Sequence, residues 1–394
     1  MHYRFMEFNA LVDGGRSSAP HARVDLSVLR ANADIVRSLL PSKRLMAIVK
    51  GDAYGHGLIE SARTLVAAGV DSLGVASLEE ALELRSWEVP ESVCILAWLY
   101  PPVRNDARIA EAIRARIDLS VGSMDHLTAV RRAAESAGEL VRVHLEMDTG
   151  LGRGGAPMSA WDDLVRAAAL HEATGAIRVT GLWTQLSYAD APEDPVNERQ
   201  LAVFRRGEAV AQSYGLRFDT VHTSTSARAL TRPTSELYGD TVRIGLSLFG
   251  VSPVSGVPAG SWGLSPVLSV TAPIAQVKFL EAGTRIGYDE AHRLSRDGYI
   301  GLVPMGYADG IPKYLPGGAE VSVLGRRRAV VAVNMDQFLI DLGTDPVPVG
   351  AVATILGSDG PVTIDANEWG AAVGSYGDEI VVRFGRGLSR SYVA

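Results

Sequence analysis

The sequence predicts an α/β protein, a (β/α)8 barrel of the TIM type followed by a C-terminal mainly-β domain. Three observations carry that prediction. Eight short apolar runs, at residues 44–50, 72–77, 93–99, 117–122, 141–148, 178–186, 220–227 and 241–250, read as strands. Between them, segments such as "IESARTLVAAG", "LEEALELRSW", "MDHLTAVRRAAESAG" and "AWDDLVRAAALHEATG" carry the one-sided apolar stripe of helices that cover a sheet. Eight such units fit a closed parallel barrel better than an open doubly wound sheet, which usually offers fewer. After residue 262 the texture changes to runs such as "VLSVTAPIAQVKFL" and "RRRAVVAVNMDQFLIDLG", punctuated by Gly, Pro and Asp-Gly turns and nearly free of helical pattern.

In chain order, residues 1–21 read as a flexible leader, 22–262 as the barrel and 263–394 as the β domain. "VDLSVLRANADIVRSLL" places Leu26, Leu29, Ala33, Val36 and Leu40 at helical spacing behind an Asp25 cap. The first strand then delivers Lys50 to the glycine-rich turn "GDAYGHG". The third carries Cys94 within "VCILAWL"; as the single cysteine it allows no intramolecular disulfide and reads as a buried, inert thiol. Strand five ends in "VHLEMDTGLGRGG", strand seven in "VHTSTSA" and strand eight in "TVRIGLSLFG".

Composition narrows the function classes. With 394 residues, 47% of them hydrophobic and 21% charged, and a net charge of −7 spread along the chain, there is no basic footprint for nucleic acid or an anionic membrane. No apolar stretch has the length of a membrane span, and the N-terminus lacks a signal core, so a cytoplasmic protein is expected. No His/Cys/carboxylate group has metal-ligand spacing.

In a barrel of this kind functional groups gather at the C-terminal ends of the strands. A lysine held there beside glycines suits Schiff-base chemistry, which needs an amine that is positioned, partly desolvated and lowered in pKa. The glycines around Arg153 bring a planar fork suited to a carboxylate over the mouth. Ser226, Gly245 and Leu246 offer hydroxyl and backbone N–H groups where barrels commonly bind phosphate. Together they suggest pyridoxal phosphate acting on an amino acid. Asp309 in "YADG" reads as a turn residue, His144 and His222 as satisfied core histidines, and His56 as a loop residue to which the sequence assigns no role.

From residue 22 onward the motifs "VKGDAYGHG", "MDTGLGRGG", "RIGLSLFG", "RIGYDE", "GYADG" and "NMDQ" follow one another in the order found in alanine racemases, and the chain resembles that pyridoxal-phosphate family. The resemblance implies that Lys50 holds pyridoxal phosphate and is one acid/base, and that Tyr288 is the base on the opposite face. It implies further that Tyr54 and Ser226, with the backbone of Gly245 and Leu246, bind the phosphate, and that Arg243 meets the pyridine nitrogen. Arg153 and the backbone at Met335 correspond to substrate-carboxylate contacts, with Tyr307 and Asp336 close by. In the family Tyr288, Tyr307 and Met335 come from the partner subunit, which implies a head-to-tail homodimer.

Several positions depart from the family's pattern. Gln185 stands where a histidine usually links the catalytic tyrosine to the pyridine-side arginine, and glutamine cannot take up a charge. Val382 aligns with a tyrosine that contacts phosphate and narrows the entrance, a loss for which Tyr376 can compensate. Thr225 replaces an asparagine near the cofactor, and Asn334 stands where many members have cysteine. Glu146 occupies the position of a lysine that is carbamylated in many members; a glutamate supplies that negative charge directly, provided that it reaches Arg153 at ion-pair distance. The expectation is an amino-acid racemase with an altered or larger substrate. The alternatives are retro-aldol, decarboxylation or other α-carbanion chemistry in the same site, and a non-catalytic cofactor carrier.

Overall fold

The computed structural model describes residues 19–87, 89–191, 193–232, 234–288 and 292–394. Residues 1–18 of the expected leader, and Asp289 and Glu290 of "RIGYDE", lie outside the described residues. The chain folds into two compact units. One holds Val24–Leu268, Tyr376–Arg386 and Tyr392–Ala394; the other holds, of the described residues, 19–23, Ser269–Ser375 and Gly387–Ser391.

The first unit is the barrel. Its strands are β1 (Arg44–Ile48), β2 (Ser72–Val75), β3 (Cys94–Ala97), β4 (Asp118–Val121), β5 (Val141–Asp148), β6 (Ile177–Trp183), β7 (Thr220–His222, resuming after Thr223 as Ser224–Thr225) and β8 (Thr241–Ile244). Neighbours pair in parallel, from β1 with β2 through to β6 with β7. The interruption at Thr223 closes the ring: the first part of β7 pairs with β6, its last part with β8, and β8 pairs with β1. Outside the ring, the helix Leu26–Leu39 starts where Asp25 accepts the N–H of Val28 at 3.2 Å, and it buries Leu29, Asn32, Ala33 and Val36.

Several strands are shorter than the apolar runs that announce them. β1 stops at Ile48, so Lys50 does not end the strand; it opens a short helical turn, Lys50–Tyr54. Backbone φ is positive at five residues in a row: Gly51 at 67°, Asp52 at 61°, Ala53 at 53°, Tyr54 at 54° and Gly55 at 81°. Likewise β8 ends at Ile244 and gives way to a 3-10 helix, Leu246–Phe249. Val49, Ala53, Leu248 and Phe249 are as buried as the strands they follow. An apolar run therefore cannot mark where the strand ends and the loop begins.

The second unit is built on an antiparallel sheet through Gln276–Leu280, Gly298–Val303, Phe338–Gly343, Arg326–Val333, Glu320–Val323 and Val352–Asp359. The expectation of almost no helix beyond residue 262 is corrected by two. Ala366–Val373 begins in a capping box between Asp365 and Glu368. Gly377–Gly387 buries Ile380, Val381 and Phe384, one helical face that the adjacent valines disguise as strand.

Residues 376–386 of this last helix belong to the barrel unit, where Gly385 and Gly55 meet backbone to backbone: a methyl at Gly385 would overlap the carbonyl of Gly55. Helix propensity alone favours alanine over glycine by about 1 kcal/mol. Gly385→Ala is nevertheless expected to destabilise the protein by ~2 kcal/mol through overpacking. The shift in urea midpoint at constant slope measures it, and a midpoint that rises would show that the contact yields.

Candidate active site

Lys50 stands at the head of the left-handed turn, and that turn is held from β2's side of the barrel. Glu80, in the capping box formed with Ser77, accepts the N–H of Gly51 at 2.6 Å and of Asp52 at 3.1 Å through Oε1. Its Oε2 faces the N–H groups of Ala76 and Ser77. Asp52 Oδ1 in turn accepts the N–H of Leu58 at 2.8 Å. The Lys50 ammonium lies 6.0 Å from the ring centre of Tyr54, at the far end of the same turn. Burial, and next the charge of Arg153, hold the Lys50 pKa below the usual lysine value, against Asp378 and Glu80.

Tyr54 leads to the expected phosphate cradle. A Cβ at Gly245 would overlap the Tyr54 hydroxyl, so only glycine lets the two approach. The Gly245 N–H points at Ser226 Oγ, 3.2 Å away. Leu246 opens its 3-10 helix, where N–H groups have no partner within the helix. Thr225 sits at the N-terminal cap of Ser226–Thr231 and pairs in register with Arg243.

Arg243, 6% exposed, is the most constrained side chain of the group. Its Nη1 donates to the carbonyl of His222 at 2.7 Å and to His222 Nδ1 at 3.1 Å; its Nη2 donates to the carbonyl of Thr184 at 2.9 Å and to Gln185 Oε1 at 3.0 Å. A guanidinium has five N–H donors, so among the described residues only Nε–H is left for another group. Burial lowers its pKa to about 10, which leaves it cationic at neutral pH. Gln185 is thereby oriented, its oxygen toward the arginine.

Arg153 projects from a loop that Asp148 builds by accepting the N–H groups of Gly150, Leu151 and Gly152. Beneath that loop lies Glu146, packed so closely that a Cβ at Gly154 or Gly155 would meet its side chain. Ser120 Oγ is 3.4 Å from Glu146 Oε2. The expected ion pair is not made: among the described residues Glu146 has no cation within 4.0 Å and senses Arg153 only at longer range. Burial dominates and pushes its carboxyl up to about 7, so the glutamate carries only part of a negative charge near neutrality.

The barrel unit thus gathers Lys50, Tyr54, Glu146, Arg153, Gln185, Thr225, Ser226, Arg243, Gly245 and Leu246 at the C-terminal ends of its strands. Tyr288, Tyr307, Met335 and Asp336 lie on the second unit, all exposed. There the N–H of Tyr307 bonds the carbonyl of Asn334 and that of Ala308 the carbonyl of Met335, so the loops that carry Tyr307 and Met335 are knit together. Asp309 accepts the N–H of Gly306 at 2.8 Å, a turn role.

Sequence reasoning misses two groups that act on the lysine turn. Glu80 holds the lysine turn, and the "SLEE" capping pattern was its available signal. Asp378, in the first turn of Gly377–Gly387, adds a carboxylate close enough to act on both Lys50 and Tyr54. Val382, in that helix, lies with its Cα against Gly55, and Tyr376 is 68% exposed. Cys94, Asp118 and His144, far apart in sequence, converge inside the barrel. The Cys94 thiol is pushed well above its usual pKa by burial and by Asp118, as befits an inert group, although the residue itself is part-exposed.

Two sequence models of one family match the chain: "Alanine racemase, N-terminal domain" over residues 24–253 and "Alanine racemase, C-terminal domain" over residues 267–392. The alanine racemase of Salinispora tropica is 42% identical over 366 residues, 92% of this chain and 95% of that protein. The alanine racemase of Streptomyces coelicolor is 42% identical over 94% of this chain and 95% of its own. Among solved structures, the alanine racemase of Streptomyces coelicolor superposes with a TM-score of 0.91 at 41% identity, covering 95% of this chain and 98% of the other. That from Streptomyces lavendulae does so at 0.91 and 38%, covering 96% and 98%.

Glu146 leaves a signature in stability. Folding favours its protonated form, so its contribution is complete below the ordinary value of 4.5 and lost as pH rises through about 7. Glu146→Gln is expected to shrink the difference in unfolding free energy between pH 5 and pH 8 by on the order of 2 kcal/mol. Chemical denaturation at both pH values measures it; an unchanged difference would mean that Glu146 is ionised throughout.

Proposed function

The chain belongs to the alanine racemase family, and from that premise we propose that it interconverts the enantiomers of an α-amino acid with pyridoxal phosphate bound at the barrel mouth. The residues present fit that group. Lys50 would hold it covalently through its amine, and Tyr54, Ser226 and the backbone of Gly245 and Leu246 would hold its phosphate. Arg243 would turn its remaining Nε–H to the ring nitrogen, which must then be an unprotonated acceptor. Bound there, pyridoxal phosphate supplies the electron sink that makes an amino acid's Cα–H acidic.

The rest of the chemistry falls to this chain's side chains. Arg153 binds and orients the substrate carboxylate. The lowered pKa of Lys50 gives an amine that takes a proton from Cα, or returns one, on one face. Tyr288 of a second copy does the same on the other face, which inverts the centre. The exposure of Tyr288 at 75%, Met335 at 61% and Tyr307 at 46% supports a homodimer in which these residues complete a neighbour's site. A cytoplasmic location accords with the single cysteine, and no helix among the described residues is long and apolar enough to cross a membrane.

The observation that carries this reading is the convergence of a desolvated lysine, a glycine-made phosphate cradle and an arginine with one donor to offer. Gln185, which replaces a chargeable histidine with an amide, favours a modified proton relay and a substrate other than alanine. Together with Val382 it also favours a second reading, in which the same site breaks a different bond to Cα.

Incubation with single-enantiomer amino acids in deuterated water tests the proposal. At least one amino acid is expected to invert with deuterium at Cα, whereas products other than the mirror image would establish the second reading. Lys50→Ala is expected to abolish turnover and the near-visible absorbance of the bound cofactor. Tyr288→Phe is expected to slow inversion 10²–10⁴-fold while exchange of one enantiomer's α-proton persists; equal loss of exchange from both enantiomers would remove Tyr288 from the role of second base.

A further inference from the structure

Beneath the site, four side chains form a single hydrogen-bonded row through the barrel. Arg243 Nη1 lies 3.1 Å from His222 Nδ1, His222 Nε2 lies 3.0 Å from His144 Nδ1, and His144 Nε2 lies 3.2 Å from Asp118 Oδ2. None of the four is more than 6% exposed. Gly181 on β6 makes the row possible: the His144 ring lies where any Cβ at that position would be, so a side chain from β5 reaches β7 across the intervening strand.

The direction of the row is forced. Guanidinium only donates, so His222 Nδ1 must carry a lone pair and the ring's proton must sit on Nε2. That proton faces His144 Nδ1, which must accept it; the proton of His144 is then on Nε2, directed at the carboxylate. A doubly protonated His222 would set N–H against N–H, and burial together with Arg243 holds its pKa well below the usual histidine value. At the far end Asp118 also takes a bond from Arg142 Nε at 3.1 Å, with Thr180 Oγ1 3.4 Å away. Burial opposes the charge of Asp118, but the bond from His144 and the charge of Arg142 hold its pKa below the usual value. The convergence of Cys94, Asp118 and His144 is therefore no metal site in this arrangement, because Nε2 of His144, the ligand atom a metal would need, carries the row's proton.

We propose that Asp118 and His144 are positioning residues for catalysis: by fixing the tautomer of His222 they fix which donors of Arg243 turn inward, leaving Nε–H for the cofactor ring. The proposal rests on the reading of Arg243 given above and extends it to two residues that touch neither cofactor nor substrate. The tautomers are a property of the polypeptide and can be read independently of turnover.

Imidazole nitrogen NMR on the ¹⁵N-histidine-labelled holoenzyme, with assignments from His144→Gln and His222→Gln, is the primary test. Both rings are expected as neutral Nε2–H tautomers; an Nδ1–H or charged form of either overturns the proposal. Asp118→Leu removes the acceptor and is expected to mix the tautomers, shift the cofactor absorbance band and lower kcat roughly tenfold with KM nearly unchanged, whereas Asp118→Asn, which keeps an acceptor oxygen, recovers both band and rate. Should the leucine variant not fold, His144→Gln and His144→Phe replace it. Glutamine preserves the direction, its oxygen accepting from His222 and its amide donating to Asp118, and is expected to retain the band that phenylalanine loses. Equal losses in both, or an unshifted band in both, overturn the proposal. Wild-type protein that inverts no amino acid yet shows both Nε2–H tautomers would refute the racemase reading while supporting the row itself.

Discussion

Everything at the barrel mouth depends on five successive residues, 51–55, held in the left-handed conformation. Glycine tolerates this at the two ends, but Asp52, Ala53 and Tyr54 each carry a penalty of roughly 1–2 kcal/mol. The surrounding bonds offset it. Glu80 takes two N–H groups of the turn on one carboxylate oxygen, Asp52 captures Leu58, and Ala53, Gly55 and Gly57 bond back to Val49, Gly51 and Asp52. The result sets the amine of Lys50 and the ring of Tyr54 at the two ends of one rigid turn. A right-handed turn of the same residues would point them differently, and the conformation thus determines where the amine and the phenol stand.

Charge at the mouth is distributed with the same economy of parts. Three cations, Lys50, Arg153 and Arg243, stand near enough to act on one another: the charge of Arg153 works against those of Lys50 and Arg243, and that of Arg243 against Lys50. Asp378 and Glu80 temper that repulsion at the lysine, while Glu146 does so beneath the arginines. Arg243 differs from the other two in being buried and bonded on nearly all sides. It faces inward as much as outward, and its inward half is continuous with the polar interior of the barrel.

What the sequence discloses follows from how local each signal is. Strands β1 to β8 are legible because a parallel barrel buries both faces of each strand, leaving continuous apolar runs. The Asp25 cap is legible because capping is a three-residue affair. The left-handed turn is not, since Asp52, Ala53 and Tyr54 are ordinary residues whose conformation is imposed by Glu80, 28 residues away from the nearer of its two partners. The helix Gly377–Gly387 is hidden by its own valines and glycines. Individual site residues such as Lys50 and Arg153 stand out by chemical type, and Arg243 only through the family motif around it. The partners of Arg243 are invisible in the sequence because His144 and His222, 78 residues apart, meet only once the strands have closed on each other.

One feature of the chain path bears on how the protein is made. The barrel unit is not complete at Leu268: the polypeptide leaves it, builds most of the strand-rich unit, and returns with Tyr376–Arg386 to lay a helix against Gly55. On the ribosome the eight strands emerge long before that helix does. The turn after Lys50 must therefore wait, without its covering helix, until Tyr376–Arg386 has been made, so a chain that stops short of that segment lacks the finished lysine pocket.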